Sequence, residues 1–163
     1  MAKNKEEKTN VMRVLEQKKI AYTAHTYPHE EGVAVDGVTV AQSMGFDPAA
    51  VFKTLVARGA SKQYYVFDVP VAENLDLTKA AKAVGEKSIE MLHQKELLPL
   101  TGYVHGGCSP VGMKKLFPTV IDASAENLET MIVSAGKIGY QVELAPRDLA
   151  ALVRASFADL VAE

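Results

Sequence analysis

Two short stretches of this chain hold the side chains best suited to chemistry. In "VFKTLVA" (51–57) a lysine, Lys53, interrupts a run that otherwise reads as the inside of a sheet. Lysine is seldom buried without a partner. Lys53 is therefore either an edge-strand residue whose stem packs while its amine reaches water, or a cation kept for a ligand. In "HGGCSPVG" (105–112) glycines surround Cys108 and Ser109, and Pro110 stiffens the far side. Glycines let a backbone turn sharply and approach a ligand, so N–H groups from Gly106 to Ser109 can form a nest for a phosphate, a ribose or an oxyanion. The plain reading of the same loop is a turn.

Other pairings are weaker. His105 and Cys108 suggest a thiol nucleophile and its base, but no third group to orient the histidine can be read from the chain. His25 and His29 have the spacing of helical zinc ligands, yet they fall on a strand and the loop after it, where that spacing does not share a face. No metal site is expected. Paired carboxylates, a nucleophile elbow, a phosphate loop and a dinucleotide fingerprint are all missing at meaningful spacing. An enzyme built from this sequence uses few conventional catalytic groups.

The elements that must position these residues follow from periodicity. Val11, Val14 and Leu15 mark an amphipathic helix from about Glu6 to Lys18. "IAYTAHTY" (20–27) predicts a strand ending before Pro28, and a helix from about Thr39 to Met44 stops at Gly45. Asp47 caps a further turn at "DPAA". Residues 51–59 and 62–70 predict a hairpin at the centre of the sheet. Helices follow at 76–85, with Asp76 as cap and Gly85 as stop, and at 94–100, ended by Pro99. The glycine-rich loop, 102–112, follows a short strand. Strands are then predicted at 119–123, 130–136 and 138–144, and a C-terminal helix over 146–161 with Pro146 in its first turn. The mixture predicts an α+β fold with a mixed β-sheet curved into a barrel and surrounded by helices.

Composition sets the outer limits. The chain has 163 residues, 48% hydrophobic and 23% charged, which suits one domain over 1–163. One cysteine excludes an internal disulfide framework. No window approaches the roughly 20 apolar residues of a membrane span, and "MAKNKEEKTN" lacks the apolar core of a secretory signal, so a cytoplasmic protein without a membrane partner is expected. A net charge of −2 argues against coating nucleic acid non-specifically. Lys3, Lys5, Lys8, Arg13, Lys18 and Lys19 crowd the start, but Glu6, Glu7 and Glu16 between them make this a solvated helix face.

"VFKTLV", followed by "TGYVHGGCSPVGMKK", "PTVIDASA" and "IVSAGKIGYQVELAPRDL", strongly resembles the YbaK/EbsC family of aminoacyl-tRNA deacylases, itself similar to the editing domain of bacterial prolyl-tRNA synthetase. "HTYPH" and "VPVAENLDLTKAAKAVG" fit the same pattern, so the resemblance spans about Thr9 to Leu160. It implies a trans-editing enzyme that removes mischarged cysteine from tRNA(Pro), and from tRNA(Cys), through attack of the substrate's own thiol on the aminoacyl ester. The alternatives are a deacylase for another small amino acid such as alanine, using water, or a non-catalytic module binding the tRNA 3′ end. By the resemblance Lys53 is the essential catalytic cation. Tyr27, Thr54, Gly106, Gly107, Cys108, Ser109, Pro110, Gly112, Ser134, Gly136 and Lys137 bind substrate, with the Cys108 thiol a bystander to the chemistry. Ser134, Gly136 and Lys137 are expected on the cleft wall, with Lys114, Lys115 and Lys137 gripping the acceptor end. Expected partners are aminoacyl-tRNA and prolyl-tRNA synthetase, without a cofactor. Asp36 and Gln141 depart from the family pattern at positions that bear on which amino acid is removed.

Overall fold

The computed structural model describes residues 8–163, so the expectations at Lys3, Lys5, Glu6 and Glu7 lie outside the described residues. Helix α1 runs Asn10–Gln17, shorter than predicted, because the Thr9 hydroxyl accepts the Met12 N–H and fixes the start. Its inner face, Val11, Met12 and Leu15, is buried.

Strand β1 (Thr23–Thr26) leads into α2 (Gly37–Met44). Asp36 starts α2 by accepting from the Thr39 N–H at 3.1 Å, two residues before the predicted start. Asp47 caps the one-turn 3-10 helix Pro48–Ala50, as its sequence indicates. The predicted central hairpin is β2 (Phe52–Gly59) and β3 (Tyr64–Pro70), in antiparallel register from Phe52 opposite Pro70 to Arg58 opposite Tyr64. Helix α3 (Leu77–Val84) has the expected cap, Asp76, and stop, Gly85.

Next come β4 (Ile89–Met91), which the sequence reading missed, and α4 (Gln94–Thr101). Pro99 lies inside α4 and does not end it; it removes one backbone bond, and Gly102 closes the helix in a left-handed conformation. No strand precedes the glycine-rich loop, because Tyr103 follows α4 directly. Strands β5 (Thr119–Asp122), β6 (Met131–Ser134) and β7 (Tyr140–Leu144) match the predicted ones. Helix α5 spans only Pro146–Val153, because Arg154 turns left-handed at φ 58° and Ser156–Ala158 forms β8. The apolar spacing of Phe157 and Leu160 looks helical but serves a sheet edge: β8 pairs parallel to β5, and the Leu160 N–H donates to Asp122.

The strands form two sheets, one in the order β4-β2-β3-β5-β8 and one in the order β1-β7-β6. The α+β expectation holds, but the closed barrel does not form among the described residues. Between the start of β2 and β6, one isolated bridge, Val51 to Ile132, joins the two sheets, and Val51 and Phe52 on one side and Ser134 on the other line a cavity beside it. One core lies between α1, α5 and strands of both sheets, around Leu15, Phe52, Ile121, Val142 and Leu149. A second packs Phe67, Val69 and Val120 under α3. Because β4 covers only Ala57–Gly59, the first half of β2 keeps a free edge towards the cavity.

Candidate functional site

The cavity measures about 360 Å³ and gathers residues from distant parts of the chain. The start of β2 supplies Lys53, Thr54 and Leu55; the end of β1 supplies Tyr27, and the segment before α2 supplies Ala34 and Asp36. His105, Gly106 and Cys108 come from the glycine-rich loop, Ser134 from β6 and Gln141 from β7.

Lys53 is partly buried. Burial lowers its pKa, while the negative charges of Asp36 and Glu73 push the other way. At a half-buried position water screens charge weakly, so an ammonium there attracts an anion more strongly than one in bulk water. Asp36 is both the cap of α2 and the acid nearest in effect to Lys53.

The glycine-rich loop is fastened at both ends. The Tyr103 hydroxyl donates to the Val111 carbonyl, and the Tyr103 N–H donates to the Thr101 hydroxyl at 3.0 Å. Gly106 has φ +89°, and a Cβ there would stand 2.7 Å from that of Ala34, so turn and packing both require glycine. The predicted nest is narrower than the sequence suggests. The Gly107 N–H is taken by the Val104 carbonyl at 2.9 Å. Among the described residues no backbone carbonyl takes the N–H of Gly106 or Cys108, and both residues line the cavity.

The remaining candidates lie behind or beside this wall. Ser109 is fully buried, and its hydroxyl accepts the Val111 N–H. Pro110 is buried, Gly107 packs on the backbone of Lys137 and Ile138, and Gly112 meets Tyr103. Gly136 and Lys137 line a separate hollow with Lys8, Asn10 and Arg13, and the Lys137 amine lies 5.2 Å from the Tyr140 ring centre. Lys114 donates to the Pro99 carbonyl, while Lys115 stands over Phe117. His25 pairs with Glu143 at 2.8 Å, and His29 with the Tyr27 carbonyl at 3.0 Å. The Cys108 thiol is pushed up to about 12 by burial and then by the charge of Asp68, so it is protonated at neutral pH.

Two buried acceptors were missed or undervalued. Asp68, on β3 opposite Thr54, is 0% exposed; it accepts the Thr54 hydroxyl at 2.6 Å through one oxygen, while among the described residues the other has no hydrogen-bond partner. Burial raises its pKa to about 7, with the Thr54 bond opposing that rise. A lone acid inside the strand "YYVFDVP" was the available signal. Gln141, in the cavity wall, also keeps its Oε1 buried with no partner among the described residues.

The profile of the aminoacyl-tRNA editing domain matches residues 32–152, a span that contains every cavity residue except Tyr27. The chain belongs to this aminoacyl-tRNA editing family. It is 45% identical over 98% of its length, and 98% of the relative's, to the Enterococcus faecalis protein named "Putative Cys-tRNA(Pro)/Cys-tRNA(Cys) deacylase EbsC". It is 28% identical to a proline–tRNA ligase of Shouchella clausii over 61% of this chain and 17% of the ligase. A crystal structure described as "a putative trans-editing enzyme for prolyl tRNA synthetase" matches with a TM-score of 0.79 at 26% identity, covering 94% of this chain and 95% of the other. The editing-family fold thus carries the Lys53 cavity.

Proposed function

We propose that the protein is a trans-editing deacylase that removes cysteine from Cys-tRNA(Pro), and from Cys-tRNA(Cys), by letting the substrate's thiol cleave its own ester. The observation that carries this reading is one cavity lined by half-buried Lys53 and by Gly106 and Cys108, whose N–H groups no backbone carbonyl takes among the described residues. The need for such an enzyme is physical. Cysteine and proline are close in size, and an apolar pocket separates near-isosteres by only about 1–3 kcal/mol, so a second sieve is required.

In this mechanism Lys53 holds the phosphate or ribose of the terminal adenosine, which fixes the ester beside the glycine turn. The substrate sulfur bonds to the ester carbonyl carbon, the bond to the ribose oxygen breaks, and the thiol proton passes to that oxygen. The products are free tRNA and a cyclic thiolactone. Oriented intramolecular attack supplies effective molarities on the order of 10⁵ M or more. The N–H groups of Gly106 and Cys108 face the developing oxyanion, a contribution of about 3 kcal/mol per well-aimed donor. No protein thiolate is needed.

Prolyl-tRNA synthetase is the proposed partner: a chain of net charge −2 grips a tRNA body weakly, and a synthetase that already holds the tRNA raises its local concentration. Activity is placed in the cytoplasm, where charged tRNA is used. The test is deacylation of Cys-tRNA(Pro) and Ala-tRNA(Pro) by purified protein, with the small product identified. Cysteine thiolactone, faster turnover of the cysteinyl substrate and at least about 100-fold loss in Lys53→Ala are expected. Faster release of alanine, or a lysine variant with wild-type rates, overturns the reading.

A further inference from the structure

The Asp68–Thr54 pair reaches the cavity through its threonine. Thr54 lines the cavity while Asp68, its cross-strand neighbour, is fully buried. At 2.6 Å the Thr54 hydroxyl to Asp68 bond has the length of a charge-assisted O–H···O contact. Ionised or not, the carboxyl group can take that proton, whereas a threonine oxygen has only one proton to give. With its proton directed into the sheet, Thr54 offers the cavity lone pairs alone. The branched side chain restricts rotation about χ1, so the hydroxyl has few alternative positions.

Beyond the one bond that ties β3 to β2 through Thr54, the carboxylate is poorly suited to holding the fold together. Its second oxygen is buried and has no partner among the described residues, and the neighbouring positions on the same face of the hairpin, Val56 and Val66, are apolar. An uncompensated buried acceptor lowers stability, and an apolar side chain of similar size would remove that cost. Costly polar groups of this kind are retained chiefly at working sites.

We propose that Asp68 is a positioning residue for the cavity: it holds the Thr54 proton inward, so that Thr54 Oγ1 accepts a hydrogen bond from a donor group on the bound aminoacyl ester. This rests on the deacylase reading above. The arrangement favours substrates with an N–H, O–H or S–H donor beside the ester and disfavours a bare carbonyl or phosphate oxygen at that spot. Thr54 touches the substrate; Asp68 acts only through Thr54.

The test compares Asp68→Leu, Thr54→Val and the double variant, measuring kcat/KM on Cys-tRNA(Pro), the melting temperature, and the Thr54 hydroxyl proton by NMR. Each single variant is expected to lose about tenfold or more in kcat/KM, and the double variant no more than Thr54→Val alone. Asp68→Leu is expected to melt at or above the wild-type temperature. In the wild type the Thr54 hydroxyl proton resonates as a protected signal that Asp68→Leu abolishes. A lower melting temperature with additive losses marks Asp68 as structural and overturns the proposal, as does a Thr54 proton that is unprotected in the wild type. Wild-type protein inactive on Cys-tRNA(Pro) sinks the deacylase reading instead, while the NMR signal still decides where the proton points.

Discussion

Lys53 and Cys108 line the same cavity, yet burial acts on them with opposite chemical results. Burial lowers the lysine pKa, and the charges of Asp36 and Glu73 oppose that fall. Burial and the charge of Asp68 both raise the cysteine pKa, leaving an inert thiol. Cys108→Ala therefore keeps single-turnover deacylation within about threefold of wild type, because the backbone N–H at 108 survives the change. A loss beyond about 100-fold would assign the chemistry to the protein's own sulfur. Lys53 was legible because a cation breaks an apolar run. Asp68 breaks "YYVFDVP" in the same way, but its meaning depends on a cross-strand neighbour, and pairing partners cannot be read from one strand.

At the scale of elements, the loop from Gly102 to Gly112 forms the cavity's most specialised wall, held by Tyr103 and Thr101. Gly106 is its tightest point. Gly106→Ala imposes a left-handed backbone on alanine and a clash with Ala34, so a loss of about 1–3 kcal/mol in urea unfolding is expected, together with reduced deacylation. Adding Ala34→Gly relieves the clash and not the backbone strain, so recovery should be partial; full recovery would show that packing alone requires glycine. Elements with local punctuation were legible: Asp47 and Asp76 start their turns, and Gly45 and Gly85 end their helices as read. Elements defined by distant partners were not. β4 exists because β2 has an edge to fill, and β8 because β5 does, although its residues carry a helical period.

For the molecule as a whole, Asp68 sets a pH dependence of stability. Its pKa is about 7 when folded, against an ordinary 3.8, so between those values the folded protein holds a proton that the unfolded chain has lost. Stability from this group is fully present near pH 4, declines as pH rises towards 7 and is level above it; the upper bound is roughly 4 kcal/mol. Glu16, Glu86, Glu90 and Glu143 have lowered values, so their opposite effect is confined to more acidic solution. The melting temperature should therefore fall between about pH 5 and 7, and Asp68→Leu should flatten that slope; equal slopes would discount the buried carboxyl. The α+β architecture was legible from the mixed order of elements, whereas the open seam between the sheets was not, since whether a ladder closes depends on what fills the gap. Asp36 borders that seam and carries two duties, starting α2 and biasing the field at Lys53. Asparagine, serine or threonine at this position can still begin the helix, but each removes the cavity's acidic charge. Charge beside Lys53 and initiation of α2 thus depend on one side chain, and a substitution that changes the first must still permit the second.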